Sequence, residues 1–292
     1  IIDDASDDET YKKSLIHIKK IQPTFKFTIL KNPVNQGYGG NQKIGYDYAI
    51  KKKYDYVALL HGDGQYAPEY LIKLLLPLKS GKANAVFGSR MLQKNGALKG
   101  GMPFYKFIGN KILTFCQNRL LKINLSEFHS GYRIYDVNFL KNIPFYLNTN
   151  DFHFDTEIII QFILFKGKIK EVPIPTYYGD EICHVNGIKY AFNVIITTIV
   201  AKLQSYNLLY DRRFDILEKN NSHYTSKLNW ESPHYLALIA TKNSKNLLDL
   251  GCAGGELTEK LSLSNKKITA VDKYKPEKLK ENINFYKFDL NK

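Results

Sequence analysis

Apolar residues along this chain fall into two kinds of run. Short stretches bounded by polar or turn residues cover Phe25 to Leu30, Tyr56 to Leu60, Ala85 to Phe87 and Ile169 to Ile174, and their lengths fit buried strands. Longer segments with helical spacing cover Gly40 to Lys52, Pro68 to Leu78 with proline in the first turn, Tyr105 to Leu121, Asp155 to Phe165 and Ile188 to Tyr206. The alternation predicts an α/β domain with a mostly parallel sheet over residues 1–206. Ile1 and Ile2 read as the tail of a further strand entering an acidic turn, so the start is expected to lie inside a longer chain. From about Asn207 the pattern dissolves into polar and charged residues with scattered aromatics, including Asn220-Asn221-Ser222, which reads as a linker, 207–244. A second unit, 245–292, then opens with strand Asn246 to Leu250, helix Glu256 to Leu263, and strands Lys267 to Val271 and Asn284 to Asp289. Three strands are fewer than a doubly wound domain needs, so this unit reads as a truncated opening.

Composition narrows the setting. The 292 residues are 44% hydrophobic, enough for two cored domains, which excludes disorder and collagen. A net charge of +14 favours anionic partners: nucleic acid, phosphorylated substrates or an acidic membrane surface. No stretch reaches the about 20 uninterrupted apolar residues of a membrane span, and the nearest, Val194 to Ala201, contains Thr197 and Thr198. The helix Ile188 to Tyr206 is amphipathic enough to lie on a lipid surface, core packing being the other reading. Cys116, Cys183 and Cys252 form no CxxC pair, so a reducing cytoplasmic setting is expected, with neither disulfide framework nor zinc knuckle. The adjacent Cys183-His184 does not make a metal site by itself. Aromatic residues are 13% of the chain, but without a nucleic-acid motif they point to core packing and sugar-facing rings.

The densest candidate chemistry is His61-Gly62-Asp63-Gly64-Gln65, directly after the strand Tyr56 to Leu60. Ligands of open α/β sheets sit at strand carboxyl ends. Oxygen and nitrogen donors at alternate residues there can hold a hard divalent cation against a diphosphate, an ordinary acidic turn being the alternative. Asp3-Asp4 follows a strand remnant and supplies acceptors for a base or ribose, while Asn35-Gln36-Gly37-Tyr38-Gly39-Gly40 opens a helix where a phosphate or ribose could approach the backbone.

In this order, and with Gly88-Ser89-Arg90, His129-Ser130-Gly131-Tyr132-Arg133 and Pro173-Ile174-Pro175-Thr176-Tyr177-Tyr178, the chain from Ile1 to about Gln204 resembles family 2 glycosyltransferases of the GT-A fold, particularly the dolichol-phosphate mannose synthase-like branch. That resemblance implies an inverting transfer from a nucleotide sugar. Asp3 and Asp4 would contact the nucleotide, with Asn35, Gly37 and Gly39 beside it, and Asp63 with Gln65 would bind Mg²⁺ or Mn²⁺. His61 stands where the family usually has Asp, either as a further ligand or to orient Asp63. Family members also begin with a strand and helix ahead of the Asp-Asp turn. Arg90 and Arg133 match the branch's acceptor-phosphate arginines, whereas His153 to Glu157 aligns with acceptor-side carboxylates. A polyprenyl phosphate acceptor would need the arginines and no base; a sugar hydroxyl, as in surface polysaccharide synthesis, would use Asp155 or Glu157 as general base. A segment from Gly179 to Gly187 would form a loop over the site. The rival reading from another class is a non-catalytic basic module that holds nucleic acid or lipid.

In the second unit Leu248-Asp249-Leu250-Gly251-Cys252-Ala253-Gly254-Gly255 forms a strand, a glycine-rich turn and a helix start, but Ala253 and Glu256 break the dinucleotide GxGxxG pattern. The run resembles motif I of class I S-adenosylmethionine-dependent methyltransferases. By that resemblance Asp249, Gly251 and Gly254 belong to the cofactor site, Asp272 holds the ribose and Asp289 lies on the adenine side.

Overall fold

The computed structural model describes residues 1–179, 185–215, 231–264, 266–276 and 279–290, in two compact units, Ile1–Ile216 and Leu217–Lys292. Cys183, His184, the middle of the Gly179 to Gly187 loop and Asn220-Asn221-Ser222 lie outside the described residues.

The first unit runs β1 (Ile2–Asp3), α1 (Thr10–Ile21), β2 (Leu30–Lys31), α2 (Tyr38–Lys51), β3 (Tyr56–Leu59), α3 (Leu71–Lys79), β4 (Ala85–Ser89), α4 (Phe104–Leu121), β5 (Arg133–Asp136), α5 (Phe154–Leu164), β6 (Ile169–Pro173) and α6 (Gly187–Gln204), with shorter turns between. β1 and β2 pair in parallel. The main sheet has the order β3-β5-β4-β6. Only β4 and β6 are parallel there, because β5 runs antiparallel to both β3 and β4. The sheet is therefore mixed rather than mostly parallel.

Alternation across the pleat sends successive side chains to opposite faces. Ala85, Phe87 and Tyr135 pack with Tyr46 of α2 and Phe154, Ile158 and Phe162 of α5. Val86 and Ile134 pack with Leu74 and Leu78 of α3, Tyr66 and Ile174. Arg133 shares the Phe87 and Tyr135 face, its guanidinium carbon 5.0 Å from the Phe87 ring centre. Most strands and helices lie where the apolar runs predict them. The run Phe25 to Leu30 contributes only Leu30 to a strand, since β1 offers two residues to pair with. α1, which the sequence reading did not include, buries none of its residues.

In the second unit α7 (Pro233–Ala240) falls inside the stretch read as linker. Ser232 caps it, its hydroxyl accepting from the Tyr235 N–H at 3.2 Å. β7 (Asn246–Leu250), β8 (Lys267–Asp272) and β9 (Ile283–Lys287) form a parallel sheet in that order, with α8 (Glu256–Leu261) after β7.

The pattern on α3 sets a direct test. Leu74 is fully buried and Ile72 is 71% exposed, so Leu74→Ala should cost about 2–5 kcal/mol in urea denaturation and Ile72→Ala under about 0.5.

Candidate active site

The antiparallel register of β3 and β5 places Leu59 opposite Arg133, which brings His61, two residues on, beside Gly131. A Cβ on Gly131 would lie 2.1 Å from the His61 imidazole, so the glycine of this run makes room for the histidine of the other. The His61 ring stands edge-on to Tyr38 and Tyr66, at 5.6 and 5.7 Å between centres. Its Nε2 is 3.2 Å from the Tyr38 hydroxyl and its Nδ1 3.9 Å from Asp63 Oδ2. Burial holds the His61 pKa below the ordinary value, so the ring is neutral at pH 7. Asp63 is exposed, its side chain at 36%, and its Oδ1 accepts from the Gln65 N–H at 3.0 Å.

Beneath this exposed carboxylate lies a buried one. Asp155, in the first turn of α5, pairs with the fully buried Arg133 at 3.2 Å. It also accepts from the Tyr38 hydroxyl at 2.8 Å and from Gln42 Nε2 at 3.2 Å, both on α2. Arg133 spends its other N–H groups on backbone carbonyls: Nε on Ser130 at 2.7 Å, Nη2 on Phe128 at 2.7 Å and Nη1 on Asp155 at 3.3 Å. Glu157, two residues further and also fully buried, accepts from the Thr149 N–H at 2.7 Å and pairs with Arg213, with His153 Nε2 at 3.7 Å. Burial raises the Glu157 pKa despite these partners.

Arg90, just beyond β4, repeats the arrangement. It is buried and grips Glu127 through its backbone N–H at 2.9 Å, Nε at 2.9 Å and Nη2, while Nη1 donates to Tyr178 at 2.6 Å. Burial pushes the Glu127 carboxyl up, but Arg90 outweighs it and the pKa falls below the ordinary value. Next to Glu127, His129 Nδ1 lies 2.8 Å from the Tyr190 hydroxyl, and its Nε2 is buried without a hydrogen-bond partner. Burial brings the His129 pKa down to about 3.

The expected site residues are held by the chain's own groups. Asp155 and Glu157 are each engaged by an arginine and further donors. Arg90 and Arg133 are engaged by carboxylates and backbone oxygens. Gly37 and Gly39 do not leave space for a ligand: a Cβ on either would meet the chain's own carbonyls, Asn150 O at 2.7 Å and Thr149 O at 2.5 Å, and the Gly39 N–H donates to Asn150 O at 2.7 Å. Asn35 Oδ1 accepts from the Gly37 N–H at 2.8 Å. Asp4 Oδ1 accepts from Asn32 Nδ2 at 2.7 Å and the Gln36 N–H at 2.8 Å. Asp3 differs, because its buried Oδ2 has no hydrogen-bond partner and its nearest cation is Lys31 Nζ at 3.8 Å. Sequence reasoning passed over Tyr38, Gln42, Glu127 and Arg213. Tyr38 sits inside the quoted glycine run and Glu127 two residues before His129, so both had a signal; Arg213 had none.

In the second unit Asp272 Oδ2 accepts from the Ala253 N–H at 2.9 Å and Oδ1 from the Tyr274 N–H at 3.1 Å, while Asp249 Oδ2 accepts from the Thr258 hydroxyl at 2.6 Å. Gly251 takes φ +80°, which a side chain resists, and Gly254 has open space at its Cβ position. Asp289 pairs with Lys273 at 3.2 Å. A cavity of about 60 Å³ is lined by His234, Asp249, Gly251 to Ala253, Glu256 and Leu257.

The buried His129 makes stability depend on pH. An unfolded histidine takes its proton near pH 6.5 and the folded one only near 3, so the unfolded state binds more protons in between and stability falls as pH drops through that window. Urea melts between pH 7.5 and 5 should lose up to about 1.4 kcal/mol more per pH unit in the native chain than in His129→Gln, the difference appearing below about pH 6.5.

Residues 1–143 match the model of glycosyl transferase family 2. The chain is 28% identical over 213 residues to a UDP-N-acetylglucosamine--dolichyl-phosphate N-acetylglucosaminyltransferase of Methanococcus voltae, covering 70% of this chain and 84% of that protein. It is 23% identical over 175 residues to a polyprenol monophosphomannose synthase of Mycolicibacterium smegmatis, covering 60% and 64%. Among solved structures, a glucosyl-3-phosphoglycerate synthase of Mycobacterium tuberculosis with uridine diphosphate superposes with a TM-score of 0.47 at 16% identity, over 72% of this chain and 69% of that one. Residues 1–143 of the first unit are thus similar to glycosyl transferase family 2.

Proposed function

We propose that the first unit is an inverting GT-A glycosyltransferase that moves a sugar from a nucleotide diphosphate donor to a polyprenyl phosphate. One observation carries the choice of acceptor. The two carboxylates in the first turn of α5 are buried and committed to Arg133 and Arg213, while Asp63 at the end of β3 is exposed. An acceptor hydroxyl needs a base, which a saturated carboxylate does not supply; an ionised phosphate needs none. The named acceptors of the two archaeal and mycobacterial relatives, dolichyl phosphate and polyprenol, favour the same reading.

The donor set fits a divalent cation. Among the described residues no three His, Cys, Asp or Glu side chains form a metal cluster; a Mg²⁺ held by one or two carboxylates takes the rest of its shell from substrate phosphates and water. Asp63 is the carboxylate that would hold it, with Gln65 and the neutral His61 as further donors. When bound, Mg²⁺ or Mn²⁺ would neutralise charge developing on the departing diphosphate. The chain's own residues do the rest. Asp3 and Asp4, at and just after the end of β1, are the nucleoside-side carboxylates of this reading. Tyr38, held by Asp155, orients His61 beside Asp63. An oxygen of the acceptor phosphate attacks the anomeric carbon in line as the bond to the donor's diphosphate oxygen breaks, and the nucleoside diphosphate leaves with that electron pair. Arg90 and Arg133 serve here as positioning residues.

For the second unit, the parallel β7-β8-β9 order, the glycine turn and Asp272 at the carboxyl end of β8 favour the methyltransferase-like reading with S-adenosylmethionine. A cavity of about 60 Å³ lies at this turn. Titration calorimetry on this chain should detect little or no S-adenosylmethionine binding, because three strands are fewer than a doubly wound site needs, and tight binding would show that these three strands suffice for the site.

The transferase reading is tested by incubating the full chain with a panel of nucleotide sugars and polyprenyl phosphate, with and without Mn²⁺. Metal-dependent transfer is expected, falling by about 10²-fold or more in Asp63→Asn. No transfer from any donor would favour the binding-module reading, and preference for a free sugar acceptor would overturn the phosphate.

A further inference from the structure

Two helices of the first unit are built inside out. On α4 the buried residues are Asn110, Thr114 and Gln117, whereas Phe104, Ile108, Ile112 and Phe115 are exposed, Phe104 and Phe115 by about 70%. A water-facing helix shows the opposite pattern. α6 packs against α4 and buries Thr197 and Thr198 along with Val194 and Ala201, exposing Ile188, Phe192, Ile196 and Ile199. Both exposed sets have steps of four, four and three residues, so each forms a single stripe along its helix. Contiguous exposed apolar surface of this kind marks an interaction face.

Charge selects the occupant. α4 carries Lys106, Lys111 and Arg119, α6 carries Lys189 and Lys202, and neither contains an Asp or Glu. Apolar stripes flanked by cations suit an anionic bilayer surface, where the rings and isoleucines enter the interface and the lysines meet lipid phosphates. A second copy of this chain would bring the same cations together. Among the described residues no helix is long and apolar enough to cross a membrane.

We propose that α4 and α6 together form a platform that seats the first unit on an anionic lipid surface. The inner faces of the same helices reach the site: Asn110 of α4 donates to Glu127 at 2.8 Å, and Tyr190 of α6 meets His129. The platform therefore brings the Arg90 and Glu127 end of the site to the membrane from which a lipid phosphate would come. That last link rests on the acceptor reading above, while the platform itself does not.

The test is co-sedimentation of the full chain with phosphatidylcholine vesicles, with and without about one third phosphatidylglycerol. Binding is expected to the anionic vesicles and to weaken with salt. Phe115→Glu and Phe192→Glu, both at exposed positions, should each weaken it about tenfold or more with circular dichroism unchanged, while Ile72→Glu on α3 should leave it intact. Failure of the native chain to bind, equal binding by the two variants, or a dimer abolished by them without vesicle binding would overturn the platform. Since no donor or acceptor is present, vesicle binding without transfer to polyprenyl phosphate would overturn only the acceptor reading. Transfer to a detergent-dispersed polyprenyl phosphate without vesicle binding would overturn only the platform.

Discussion

An arginine with no contact with water organises this site. Removing a guanidinium from solvent costs several kcal/mol unless its charge and its N–H groups are answered, and Arg133 is answered by Asp155 and three backbone carbonyls. That requirement locates the start of α5 against the first residue of β5. Asp155 in turn holds Tyr38 and Gln42, which fixes the beginning of α2, and Tyr38 meets His61 beside the exposed Asp63. One buried pair thus positions the His61 ring through Tyr38, with Asp63 3.9 Å beyond it. Arg90 and Glu127 do the same at the end of β4, tying Tyr178 to the guanidinium and Asn110 to the carboxylate.

The ion pairs also bear on the chemistry. Arg133 as a phosphate clamp and Asp155 as a base look like rival mechanisms when each residue is considered alone. Joined at 3.2 Å, they are one structural unit, and removing either leaves the other charged and buried. Asp63, by contrast, is exposed beyond the end of β3, and the proposed reading gives it the cation.

Part of the frame was legible from apolar runs, because β4 is buried along its whole length and α5 buries Phe154, Ile158, Ile159, Ile160 and Phe162. β5 was not, since its sequence, Arg133-Ile134-Tyr135-Asp136, has a charge at each end, and a fully buried arginine reads as polar. The position of Asp63 at a strand end was legible as well. The role of Gly37 and Gly39 was not: a glycine that admits a ligand and one that admits a carbonyl look alike, and the carbonyls that approach belong to Thr149 and Asn150, more than a hundred residues away. The apolar character of Tyr105 to Leu121 was visible too, but which face the helix buries depends on Glu127 needing Asn110, a contact no local pattern encodes.

The account stands most directly on the Arg133 and Asp155 pair, and a double-mutant cycle with Arg133→Met and Asp155→Leu, read by urea denaturation and by transfer rate together, measures it. Each single change should cost about 3–5 kcal/mol by stranding a buried charge, the double change should cost clearly less than their sum, and transfer should fall with stability in both singles. A fully stable Asp155→Leu chain with transfer alone abolished would make Asp155 the base and contradict the account.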